Sequence, residues 1–151
     1  RGIISSRVNI FGISAWHKGF MQELKGESMQ VVDISEPHEP LGLDYGLISG
    51  LFRKLPEKEA SAILFKLIED IIHSISQAEQ DYYCAENKEF STALNPIRSS
   101  SNRVGFMRLA CVASDAQLAL DHGDRIALSA IVLRLLRVGE QSLDAIWDGQ
   151  F

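Results

Sequence analysis

The residues best suited to chemistry lie in one stretch, Leu94 to Gly105, which reads L-N-P-I-R-S-S-S-N-R-V-G. It brings two guanidinium groups, Arg98 and Arg103, beside the hydroxyl run Ser99, Ser100 and Ser101, after the carboxamide of Asn95. Guanidinium groups meet carboxylates and phosphates through paired N–H donors, and small side chains let another chain approach the backbone. The stretch therefore suits contact with an anion or a protein. It does not suit covalent catalysis, because a serine hydroxyl needs an adjacent base and no histidine or carboxylate stands within a helical turn of these serines.

The other chemistry-bearing side chains are scattered. Four histidines, His17, His38, His73 and His122, share no helical face, and no glycine-rich phosphate loop is present. Cys84 and Cys111 lack metal-ligand spacing and are expected as reduced, buried thiols of a cytoplasmic protein. Neither a metal nor a cofactor is expected. His73 falls between the apolar positions of its segment and is expected on the solvent face.

Composition narrows the class further. An apolar fraction of 46% and a charged fraction of 23% fit a globular domain, and no run of about 18 uncharged apolar residues could span a bilayer. The net charge of −5 argues against nucleic acid as a partner, since such binding rests on clustered cations. No signal-peptide pattern follows Arg1. The expectation is a cytoplasmic protein engaging neither membrane nor nucleic acid.

Helical periodicity must position the polar stretch. Ile13, Trp16, Phe20 and Leu24 share a face and predict a short amphipathic helix closed by Gly26, which either packs on its own domain or pairs two copies as a homodimer. Pro37 and Pro40 mark a linker, dividing the chain into an N-terminal extension, 1–40, and a helical domain, 41–151. Asp44 is placed to cap a helix carrying Leu47, Ile48, Leu51, Phe52 and Leu55, and Pro56 either closes it or opens the next. Ala60, Ile63, Leu64, Leu67, Ile71, Ile75 and Ala78 predict a long helix over 57–80, followed by a polar connection at 81–87.

The next helix, 88–103, contains Pro96, which should bend it or leave Asn95 as the N-cap of a fresh turn. Beyond Gly105, the residues Phe106, Leu109, Ala110, Ala113, Ala116 and Leu120 predict a helix ending at His122-Gly123. Asp124 caps a last helix, whose core stripe reads Ile126, Ala130, Leu133, Leu136, Leu143 and Trp147. No strand alternation is found after residue 40. Short connections make neighbouring helices antiparallel, so the expected fold class is all-α, an antiparallel bundle with short helices before it.

The run N-P-I-R-S-S-S-N-R-V-G, with F-M-R-L-A-C after it and a helix ending D-H-G-D, resembles the histidine-containing phosphotransfer (HPt) domain of two-component phosphorelays. That family's motif opens on a phosphoaccepting histidine, with Lys or Arg three positions on, then small residues and a later glycine. Arg98, Ser99 to Ser101 and Gly105 occupy those positions, and the likeness covers roughly residues 41 to 147. The resemblance implies a four-helix bundle of HPt type, and a site for a response regulator receiver domain or a histidine kinase formed by Asn95, Arg98, Ser99, Ser100, Ser101, Arg103 and Gly105.

The departure is at the first position, where Asn95 replaces histidine. An imidazole nitrogen can take a phosphoryl group from an aspartyl phosphate, whereas a carboxamide nitrogen is delocalised into its carbonyl and is not nucleophilic. The expectation is a non-enzymatic binding module that keeps the fold without the chemistry. Two alternatives stand beside it: a phosphocarrier using His73 or His122, and a purely structural or dimerising bundle.

Overall fold

A computed structural model describes residues 39–148, almost all within the unit Leu41–Phe151. The amphipathic segment 13–24, the homodimer contact expected through it and most of the linker lie outside the described residues. Five helices follow one another: α1, Tyr45–Lys54; α2, Glu57–Tyr83; α3, Asn87–Val104; α4, Met107–Asp121; and α5, Arg125–Trp147. The unit is all-α, with one isolated antiparallel bridge, Leu43 to Phe106, in place of any strand among the described residues.

Turn chemistry explains the connections. Pro56 stands just before α2, and the αL residue Ala85 (φ 58°) lies in the turn to α3. Gly105 (φ 95°) ends α3 and Gly123 (φ 68°) follows α4, each in the left-handed region where a side chain is strained. Asp44 and Asp124 cap α1 and α5, accepting from the amides of Gly46 and Ala127 at 2.9 Å each, as the sequence predicts. The chain reverses at each tight turn, so α2 packs most extensively on α3, α3 on α4 and α4 on α5, while α5 returns to touch α2.

The core is built from Leu67, Ile71 and Ile75 of α2, Phe90, Leu94 and Ile97 of α3, Leu109 and Val112 of α4, and Val132, Leu135 and Val138 of α5. Each such side chain contributes about 1.5–3 kcal/mol when fully buried. That burial holds α3 together across Pro96, whose cost in a helix interior is about 3 kcal/mol. The helix runs without interruption from Asn87 to Val104, so Asn95 is an interior residue rather than the N-cap of a new turn.

Three further expectations are corrected. The polar connection is shorter than predicted, because α2 continues through Asp81, Tyr82 and Tyr83. Cys84 and Cys111 are free but exposed, not buried: Cys84 lies past the last turn of α2, and Cys111 shares the solvent face of α4 with Met107, Asp115 and Leu118. The stripe expected for α5 is out of phase. Ile126, Ala130, Leu133 and Trp147 are exposed; of the expected stripe only Leu143 is buried, beside Leu128, Val132, Leu135, Val138, Gly139, Ser142 and Ile146.

α1 is the loosest element. None of its residues is fully buried, and it leaves a groove of about 280 Å³ against α2, lined by Leu47, Leu51, Ile63, Leu64 and Arg103 among others. No helix among the described residues is long and apolar enough to cross a membrane.

Candidate functional site

α3 and its C-cap Gly105 carry every residue of the sequence-derived site. Its inward positions are Phe90, Ala93, Leu94, Ile97, Ser100, Ser101 and Val104, and the residues between them meet solvent. Asn95, Arg98, Ser99 and Arg103 are exposed. Arg98 Nη2 donates to Asn95 Oδ1 at 3.2 Å, a reach of one helical turn, so the carboxamide and the cation form one polar unit. The Ser99 hydroxyl donates to the carbonyl of Pro96 at 3.3 Å, a weak bond within the helix.

Ser100, Ser101 and Gly105 are buried, with relative exposures of 6% for Ser100 and 0% for Ser101. These three residues therefore cannot touch a docked partner directly. Consecutive residues on a helix are about 100° apart, so a run of three cannot share one face. The small serines instead let neighbouring helices approach α3 closely. The Ser101 hydroxyl is sealed in without a hydrogen-bond partner.

Gly105 has a distinct structural task. The segment Leu41–Asp44 crosses the turn between α3 and α4: the Asp44 amide donates to the Gly105 carbonyl at 2.8 Å, and the Met107 and Arg108 amides donate to the Gly42 and Leu41 carbonyls at 3.3 Å each. Two first-turn amides of α4, which no helical carbonyl can reach, are satisfied in this way.

The two arginines do not point the same way. They are five positions apart in sequence, which places them about 140° apart around an ideal helix. Arg98 lies at one edge of the solvent face, and Arg103 at the other, beside the groove under α1. Lys88, Asn95 and Asn102 run along the middle of that face, all exposed and seven residues apart. Sequence reasoning passed over Lys88 and Asn102; the seven-residue interval from Asn95 was the signal available for both.

The histidines remain separate. His122 is exposed at the C-terminal cap of α4. His73 is exposed on α2, as expected, and lines a groove between α2 and α3 together with Thr92 and Pro96, the latter adjacent in sequence to Asn95. No cluster of three His, Cys, Asp or Glu side chains able to hold a metal ion occurs among the described residues. Chemically, the solvent face of α3 offers cations, amides and the Ser99 hydroxyl for hydrogen bonding. No protein-family model, curated protein or solved structure matches this chain.

Proposed function

We propose that this chain is an HPt-like, phosphorylation-incompetent module of a two-component phosphorelay, acting by binding a receiver domain or a histidine kinase through the solvent face of α3. In this reading α2 to α5 are the four helices of the HPt-type bundle, and α1 is an addition. The observation that carries it is the exposed pair Asn95–Arg98, joined at 3.2 Å at the positions that the motif assigns to phosphoacceptor and cation. Lys88, Arg98 and Arg103 give that face a cationic character suited to an acidic receiver pocket. Asn95 occupies the acceptor position without a nucleophilic nitrogen, so binding, not transfer, is the activity.

Titration of the full chain with purified receiver domains and histidine kinases, read by calorimetry, tests the proposal. A saturable complex weakened by Arg98→Glu is the expected result. Absence of a complex across such a panel would sink it.

One observation favours a second reading. His73 is exposed in the groove that Pro96 also lines, so its imidazole stands near the surface assigned to the partner. As a phosphocarrier, His73 would attack the phosphorus of an aspartyl phosphate, forming a P–N bond as the P–O bond to the carboxylate breaks. Acid-labile label on the wild type and none on His73→Gln would establish this route over the first.

A further inference from the structure

The groove between α2 and α3 holds a feature that neither reading uses. Asp81, on the last turn of α2, is only 3% exposed. Its Oδ1 accepts from Gln77 Nε2 at 2.7 Å, while Oδ2 is buried with no hydrogen-bond partner. Among the described residues no cation forms an ion pair with this carboxylate. A buried carboxylate oxygen left without a donor is costly, and a matched cation removes that cost.

The surroundings indicate what kind of cation fits. Asp81 lines a groove of about 390 Å³, together with Glu89, Lys88, Gln77, Ala93 and Pro96. This volume is of small-molecule size. Ala93 and Pro96 supply apolar wall, and Asp81 and Glu89 supply two carboxylates. Gln77 already takes one oxygen of Asp81, so a single acceptor remains. A compact ammonium group suits that better than the two-pronged fork of a guanidinium. Lys88 is an exposed, long side chain that can swing aside to admit it, while Gln77 keeps its bond to Oδ1.

We propose that this groove is a binding site for a primary alkylammonium group, which donates to Asp81 Oδ2 while its carbon stem lies along Ala93 and Pro96. The ammonium can belong to a free amine or to a lysine side chain of another protein. Lys88, the chain's own ammonium in the groove, is a competitor for the same carboxylate. The site stands independently of the phosphorelay reading.

Heteronuclear NMR on the full chain tests it, with putrescine and a capped Gly-Lys-Gly peptide as probes and n-butanol as the uncharged control. Saturable shifts are expected at the Gln77 side-chain amide and the Asp81 and Lys88 backbone amides, with no response to n-butanol. Asp81→Asn should weaken binding about tenfold or more, and Lys88→Met should preserve or tighten it. The tighter of the two probes identifies the source of the ammonium. Should Asp81→Asn fail to fold, the wild-type carboxyl-carbon resonance of Asp81 carries the test: movement on saturation with putrescine supports the site, and invariance overturns it. Lack of saturable binding in both wild type and Lys88→Met, or affinity unchanged in Asp81→Asn, overturns it equally.

Discussion

The Asp44 amide donates to the Gly105 carbonyl at 2.8 Å, and a methyl group on the Gly105 α-carbon would lie 2.5 Å from the Asp44 carbonyl oxygen. The glycine that looks like part of a recognition motif is thus required by the fold. It ends α3 with a φ of 95° and lets the segment before α1 cross at backbone contact. The motif-like spacing and a structural necessity coincide at one residue.

Gly105→Ala should therefore destabilise the unit by at least about 2 kcal/mol, from left-handed strain of about 1–2 kcal/mol and a clash that backbone atoms cannot rotate away from. Gly123→Ala is the comparison, because Gly123 has a φ of 68° and nothing within 4 Å of its added methyl. It should show the strain alone. Urea unfolding of both variants measures the difference, and equal losses would remove crowding from the explanation.

The serine run divides into separable roles. The hydroxyls of Ser101 and Ser142 are buried without partners, so replacing either by alanine relieves a desolvated polar group and improves helix propensity. Both substitutions should leave stability unchanged or raise it by up to about 1 kcal/mol. Ser99→Ala, at an exposed position, should stay within about 0.5 kcal/mol of wild type. A loss above about 1 kcal/mol for Ser101→Ala would mean that its hydroxyl holds a hydrogen bond after all.

These residues also show what a reading of the sequence can reach. Most helix positions and the caps at Asp44, Asp124 and Gly123 were legible, because these residues are local signals acting through local geometry. The phase of α5 was not. That helix carries apolar residues on more than one face, so Ile126–Ala130–Leu133 and Leu128–Val132–Leu135 both repeat at intervals of four and three. The buried face is the one containing Gly139 and Ser142, residues that hydropathy does not mark as core. What selects it is closeness of approach to α2, a tertiary property. Asp81 was hidden for a similar reason: a charged residue near a helix end reads as solvent-facing until the neighbouring helix covers it.

Gly139 gives a direct test of that close approach. A methyl group there would sit 2.7 Å from Ile75 Cδ1, the far end of a flexible side chain. Gly139→Ala should gain up to about 1 kcal/mol of helix propensity but lose about 1–3 kcal/mol to overpacking. Ile75→Val removes the clashing carbon and alone costs about 0.5–1.5 kcal/mol. The double variant should be more stable than the sum of the two losses by about 1 kcal/mol, measured by thermal and urea unfolding. Simple additivity would show that the helices separate instead of clashing.

Asn95→His probes whether the α3 surface can support phosphotransfer, as the proposed HPt-like reading implies. Asn95 is exposed and histidine has similar helix propensity, so the substitution should change stability by less than about 0.5 kcal/mol. It places an imidazole where Arg98 Nη2 now reaches the carboxamide at 3.2 Å, close enough for the guanidinium to balance charge on a phosphorylated ring. Incubated with a phosphorylated receiver that binds the wild type, Asn95→His should acquire acid-labile phosphate, and the wild type should not. Adding Arg98→Glu should abolish labelling by reversing that charge, whereas Arg103→Glu, about 140° away around the helix, should reduce it less. Binding without transfer in Asn95→His would show that the docked aspartyl phosphate does not face this position, and would move the partner's contact to another part of α3.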